Sequence, residues 1–244
     1  MIRFITLCTI LVFYLIFSIP VFFVYKLIQK KFPEKADYLA LRDVQRAFRT
    51  LLFITGVKTT VIGEENIPDE PVLFIGNHRS QFDILLTYSR CKRLTGYVAK
   101  KELEKMPLLN SRMKALHCLF LDRKNPKEGL KTILEAINHI KTGISVCIFP
   151  EGTRNSGEEG TLLEFKDGSF KIATKAGCAI VPIYITNTAA MFEEQFPRIR
   201  PTHVIIEYGK PIYPKDLDKE TLKHLGTYFS DLYSEKLAEN MKLL

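Results

Sequence analysis

The chain has 244 residues, 46% of them hydrophobic and 25% charged, with a formal net charge of +8. That length and apolar share suit one sizeable α/β domain plus an appendage and argue against two independent catalytic domains. The five cysteines (Cys8, Cys91, Cys118, Cys147 and Cys178) are odd in number, scattered and mostly set in apolar runs, so they read as buried thiols in a reducing compartment. With no Cys-x-x-Cys or His-x-x-x-His pair, no metal site is expected.

The N-terminus opens with 22 uncharged residues, Phe4 to Tyr25, bounded by Arg3 and by Lys26, Lys30 and Lys31. As one helix this run is about 33 Å long, comparable to the hydrocarbon core of a bilayer. It is too long for the apolar region of a secretory signal and lacks a small-residue cleavage site. The basic excess on its C-terminal side places the rest of the chain on the cytoplasmic face of the cell membrane. Pro20 permits a kink and therefore a tilted or re-entrant segment.

A second helix follows, with Leu41, Val44, Phe48, Leu51 and Leu52 on one face and Arg42, Arg46 and Arg49 beside them. Two readings carry equal weight: a helix lying among lipid headgroups, or one packed on the following domain. Residues 1–56 are thus read as a two-helix membrane anchor and residues 57–244 as an α/β domain, a central mixed sheet flanked by helices.

Short apolar runs predict strands at Val57–Ile62, Val72–Ile75, Cys118–Leu121, Ile144–Phe149, Ala179–Ile185 and Val204–Tyr208. Between them, Pro126–Thr142 reads as a helix, capped by Asn125, ended by Gly143, and turning Leu130, Ile133, Leu134, Ile137 and Ile140 inward. A last helix is expected from about Asp218, with Leu222, Leu225, Phe229 and Leu232 inward. Residues 88–127 hold eleven lysines and arginines against three acidic residues, which accounts for the whole positive excess. Such a segment suits anionic ligands. The apolar N-terminus ties it to lipid and disfavours nucleic acid.

The most informative stretch runs from Val72 to Asp83, where an apolar strand meets Gly76-Asn77-His78-Arg79-Ser80-Gln81-Phe82-Asp83. Open α/β sheets bind ligands at the carboxyl ends of their strands. On one continuous helix His78 and Asp83 would point 140° apart, so they meet only if His78 lies in the turn and Asp83 in the first helical turns. An imidazole paired with a carboxylate has the fixed tautomer and stabilised cation of a general base. Equally, Ser80-Gln81-Phe82-Asp83 fits a capping box in which Asp83 merely closes the helix start.

No Gly-x-Ser-x-Gly elbow supplies a nucleophile, so the attacking group should come from the substrate. Phe149-Pro150-Glu151-Gly152-Thr153-Arg154 also follows a strand: Gly152 admits close backbone approach and Arg154 offers a planar fork for phosphate or carboxylate. The alternative is a polar turn with a surface arginine. Asp122-Arg123 ends a further strand and brings a second guanidinium to the same edge, or forms a local pair.

Taken together, Asn77-His78-x4-Asp83, Phe120-Leu121-Asp122-Arg123, Phe149 to Arg154 and Val181-Pro182-Ile183 resemble, in order, four motifs of the 1-acylglycerol-3-phosphate acyltransferase family. The resemblance covers roughly residues 63–208. It implies that His78 deprotonates the sn-2 hydroxyl of lysophosphatidic acid with Asp83 in support, and that Arg123 and Arg154 hold the phosphate. Glu151, Gly152 and Thr153 would shape the substrate site, and Lys100, beside Lys101, would lie near the acyl donor. The donor would be acyl-CoA or acyl carrier protein, with no cofactor, and the product phosphatidic acid for phospholipid synthesis at a membrane. Lys100 or amides near Gly76 would receive the oxyanion. Arg79 stands where the family often has glutamine. Other readings are an acyltransferase for glycerol 3-phosphate or another lysolipid, a non-catalytic module binding anionic lipid, and a metallohydrolase built on His78, Asp83 and Glu151, which lacks further ligands.

Overall fold

The apolar N-terminus does not form one helix. In the computed structural model, which describes residues 1–244, α1 (Ile2–Phe17) and α2 (Ile19–Gln29) meet at Ser18 with a 46° bend. Pro20 explains the break: it is tolerated at the second position of α2, whereas inside a continuous helix its ring would strike the Ile16 carbonyl. No single helix is long and apolar enough to cross a membrane. Many large apolar side chains of the pair, including Ile5, Phe13, Phe17, Phe23 and Leu27, are exposed.

The next helix, α3 (Pro33–Thr55), starts on Pro33 and ends at Gly56, whose φ of 71° only glycine adopts cheaply. Its apolar stripe faces the domain: Ala40, Leu41 and Val44 belong to the main hydrophobic core. Gln45 Nε2 donates to the Cys91 carbonyl at 2.7 Å, and Arg49 to that of Ser89 at 2.8 Å. Of the two readings of this helix, packing on the domain is the one observed, with Arg42 and Arg46 turned to solvent. Residues 1–56 therefore hold three helices, the third continuous with the core.

Seven strands form one mixed sheet: β1 (Lys58–Ile62), β2 (Leu73–Gly76), β3 (Thr95–Lys100), β4 (Leu119–Leu121), β5 (Ser145–Ile148), β6 (Ile180–Thr186) and β7 (His203–Tyr208), in the order β1-β7-β6-β2-β5-β3-β4. All neighbours are parallel except β6 and β7. Consequently β2, β3, β4, β5 and β6 all end at the same edge, where the loops carrying the motifs emerge. One face is covered by α3 and by α4 (Phe82–Tyr88), the other by α6 (Pro126–Lys141), α7 (Lys171–Ala176) and α8 (Leu225–Met241), with α5 (Leu109–Ala115) leading into β4.

Three details depart from the sequence pattern. β3 was not foreseen, because Thr95-Gly96-Tyr97-Val98-Ala99-Lys100 is short, contains glycine and ends on a charge. It forms because β5 and β4 flank it, and Gly96 lies so close to His117 that a Cβ would stand 2.3 Å from its carbonyl oxygen. In α6, Asn125 accepts from the Lys127 and Glu128 amides as expected, yet Leu130 and Leu134 are 60% and 56% exposed. The helix instead presents Thr132, Ala136, Ile137 and Ile140, the Thr132 hydroxyl reaching the Phe120 carbonyl at 3.1 Å. Finally, Asp218 caps a short 3₁₀ turn, accepting from Glu220 and Thr221, and α8 begins only at Leu225, burying Phe229 and Tyr233.

Candidate active site

Strand β2 delivers the key residues to the edge. Gly76 ends it against Phe149, where a Cβ would meet the ring at 2.8 Å, so only glycine lets the chain pass. Asn77 then continues the pairing with its side chain, donating to the Ile185 carbonyl at 2.8 Å and accepting from the Ile185 amide at 2.9 Å. His78 follows in the turn and α4 starts at Phe82, which puts Asp83 in the first helical turn. The two side chains meet, Nδ1 of His78 standing 2.8 Å from Oδ2 of Asp83.

Asp83 makes both of the contacts its sequence context allowed. Its Oδ2 accepts from the backbone N–H groups of Arg79 and Ser80, each at 2.8 Å, closing the helix start while it receives His78. Ser80 completes the cap by accepting from the Phe82 amide at 3.0 Å. Capping the helix start and pairing with His78 are thus compatible contacts of one carboxylate, and the helix start aims it at the imidazole. Oδ1 accepts from the Thr188 hydroxyl at 2.5 Å. The carboxylate is wholly buried, so these donors replace its lost hydration.

The imidazole of His78 stacks on Phe149 with ring centroids 4.3 Å apart, and its side chain is 15% exposed. With Nδ1–H directed at Asp83, the lone pair of Nε2 is the one left for a substrate proton. The loop after β5 grips the same residue by its backbone. Glu151 Oε1 accepts from the His78 amide at 2.7 Å, its Oε2 accepts from Leu163 at 2.9 Å, and the Asn155 amide donates to the His78 carbonyl at 2.7 Å. Burial pushes the Glu151 carboxyl above its ordinary pKa, and the two N–H donors pull it partly back. Glu151 therefore shapes the site by clamping the His78 turn, both its oxygens being engaged.

Gly152 turns the chain with φ of 73°, leaving Thr153 and Arg154 exposed beyond it. Arg154 reaches Glu193 at 3.2 Å, and the same Glu193 oxygen accepts from the Gln81 amide at 2.8 Å. Arg123 and Lys100 lie further along the same edge, at the ends of β4 and β3. From the strand order, β4 is three places from β2, about 14 Å at ordinary strand spacing. Neither side chain touches the dyad: Lys100 pairs loosely with Glu102 at 3.4 Å, and Arg123 is exposed. Arg79 faces inward, only 3% exposed, with Nε 3.0 Å from Glu159 and Nη1 donating to the Glu158 carbonyl at 2.8 Å.

Sequence reasoning missed Asn77 as a strand surrogate, Asn155 and Thr188. Asn77 sits inside a motif already singled out and Asn155 directly follows one, so their proximity was a usable signal. Thr188 lies five residues beyond the Val181-Pro182-Ile183 motif, and nothing local marks it.

A buried carboxylate fixes an imidazole whose outer nitrogen opens at a basic sheet edge, an arrangement with the geometry that a general base requires. The sequence profile described as "Acyltransferase" matches residues 58–186, and the chain belongs to that acyltransferase family. It is 32% identical over 197 residues to a 1-acyl-sn-glycerol-3-phosphate acyltransferase of Cocos nucifera, covering 80% of this chain and 63% of the relative. The enzyme of that name from Saccharomyces cerevisiae is 28% identical over 79% of this chain and 64% of its own. This chain thus spans less than two thirds of either relative's length, although it covers 67% of the Salmonella typhimurium enzyme of the same name at 31% identity. The crystal structure of the 1-acyl-sn-glycerophosphate (LPA) acyltransferase PlsC from Thermotoga maritima superposes with a TM-score of 0.75 at 26% identity, covering 98% of each chain.

Proposed function

We propose that this protein transfers a fatty acyl group from a thioester, acyl-CoA or acyl carrier protein, to the sn-2 hydroxyl of 1-acylglycerol 3-phosphate, producing phosphatidic acid. The observation that carries the reading is the His78–Asp83 pair at 2.8 Å with Nε2 open at the edge that also bears Arg154. The names of the relatives supply the acceptor.

In this reading His78 Nε2 takes the hydroxyl proton as the oxygen attacks the thioester carbonyl, and Asp83 stabilises the imidazolium that forms. The tetrahedral oxyanion then collapses, the C–S bond breaks, and the thiolate recovers the proton from His78. A thiolate leaves readily, so the step calls for neither a cofactor nor a covalent enzyme intermediate. The amides of His78, Arg79, Ser80 and Gln81 are already committed to Glu151, Asp83 and Glu193, which favours Lys100 over the His78 turn as the oxyanion partner. Arg154 would exchange Glu193 for the acceptor phosphate, a bidentate partner of higher charge. Arg123 would take the phosphate's outer side or the donor.

The exposed apolar side chains of α1 and α2 support attachment to the cell membrane from its cytoplasmic face, in keeping with five free thiols. Cosedimentation with anionic vesicles tests the attachment. The reaction is tested by incubating the detergent-purified chain with 1-acylglycerol 3-phosphate, glycerol 3-phosphate or another lysolipid and both palmitoyl thioesters. Phosphatidic acid should form from the first acceptor, and His78→Ala should lower kcat by about 10²–10⁴-fold while leaving donor and acceptor binding intact. A folded His78→Ala protein that turns over normally rules the mechanism out.

A further inference from the structure

The two oxygens of Asp83 are served unequally. Oδ2 accepts from His78 Nδ1 and two backbone N–H groups, whereas Oδ1 accepts only from Thr188, at 2.5 Å. Thr188 is itself buried and arrives from beyond β6, 105 residues along the chain. Its placement is enforced by its neighbours. Asn187 holds a left-handed φ of 69°, its amide donates to Glu159 Oε1 at 3.0 Å and its side chain to the His203 carbonyl at 2.9 Å. Glu159 also meets Arg79 Nε at 3.0 Å, and the Arg79 amide returns to Asp83. A closed ring of contacts thus runs from Asp83 through Thr188, Asn187, Glu159 and Arg79 back to Asp83.

We propose that Thr188 is a positioning residue of the dyad, its hydroxyl holding the Asp83 carboxylate so that Oδ2 faces His78 Nδ1. The assignment rests on the general-base reading of His78. A carboxylate held from one side only can swing about its Cβ–Cγ bond, and four donors on two oxygens remove that freedom. The hydroxyl also spreads the carboxylate's charge. Its hydrogen bond is worth most when the ring is neutral, because an imidazolium already answers part of that charge. Without it, the pair as a whole holds its shared proton more tightly.

Other ionisable groups face the dyad from each packed element: Glu151 from the loop after β5, Arg79 from the turn itself, Glu159 from the segment before α7, and Glu193 and Glu194 from the turn after Thr188. Burial raises the carboxyl pKa of Glu151 and Glu159. None of these groups bonds to the Thr188 side chain, so a change there leaves their contacts in place.

The test compares Thr188→Val and Thr188→Ser with the full-length wild type, using 1-acylglycerol 3-phosphate and palmitoyl thioesters of coenzyme A and acyl carrier protein across pH 5 to 9. Valine keeps the shape and removes the donor, so the carboxylate loses its alignment and kcat should fall about tenfold, less than the roughly 10²-fold that a 1 Å misplacement can cost. KM for both substrates should hold, and the acid limb of kcat/KM should move to higher pH. Serine should restore both. Thr188→Ala serves if valine prevents folding, as judged by circular dichroism. An unmoved acid limb, an unchanged kcat, or a serine variant as impaired as valine overturns the assignment. His78→Ala in the same assay separates the two claims: if it is inactive while Thr188→Val matches wild type, only the role of Thr188 has failed.

Discussion

The two halves of the functional edge are built differently. Around β2, β5 and β6 the side chains that hold His78 in place are each paired: Asn77 with Ile185 of β6, Asp83 with four donors, Glu151 with two amides. Around β3 and β4 the cationic side chains are solvated, Lys100 and Arg123 reaching no part of the dyad. A proton transfer needs its base held within tenths of an ångström before substrate arrives, whereas a charged binding group can be ordered by the ligand it meets. The contrast therefore separates the groups that hold His78, whose loss should damage kcat or folding, from the exposed arginines of the edge, whose loss should damage KM.

Asp83→Asn is the sharpest challenge to the ordered half. Asparagine can still accept the Arg79 and Ser80 amides and donate to Thr188, so the helix start should survive. The charge that stabilises imidazolium is lost, and kcat should fall by about 10²–10⁴-fold in a protein whose circular dichroism is unchanged. Near-normal turnover would reduce Asp83 to a cap.

Glu151→Ala strands two buried N–H groups, those of His78 and Leu163. Unfolding in urea should show a loss of about 2–4 kcal/mol, and the surviving folded protein should have a lowered kcat because the His78 turn is loosened. An unaltered acceptor KM would separate this clamp from the phosphate-binding role that its motif suggests.

The exposed arginines should answer more mildly, Arg154 after β5 as well as Arg123 after β4. Arg154→Ala is expected to raise the acceptor KM by about tenfold with kcat nearly kept, since its ion pair is half exposed and a phosphate contact forms before chemistry. Arg123→Ala should have the smaller effect, about threefold, because its side chain is solvated and stands about 14 Å along the edge from the dyad. A donor-specific rise in KM for either variant would move that arginine to the thioester side of the site.

The amino-acid sequence by itself determined the six apolar strand runs, the Asn125 and Gly143 ends of α6, the His78 turn before α4 and the order of the motifs. Each is a short-range pattern whose physical cause lies within a few residues: a short apolar run, a cap, a proline or a glycine. It also offered both contacts of Asp83, to the helix start and to His78, without deciding between them. Tertiary structure alone decided that α3 packs inward, that α6 turns Ala136 and Thr132 to the sheet in place of Leu130 and Leu134, and that Thr95–Lys100 becomes a strand between two neighbours. It alone brought Thr188 to Asp83 across 105 residues and Asn155 to His78 across the gap between β2 and β5. Those contacts depend on which strands lie side by side. Strand order follows from packing the whole chain around two core faces, and no local periodicity encodes it.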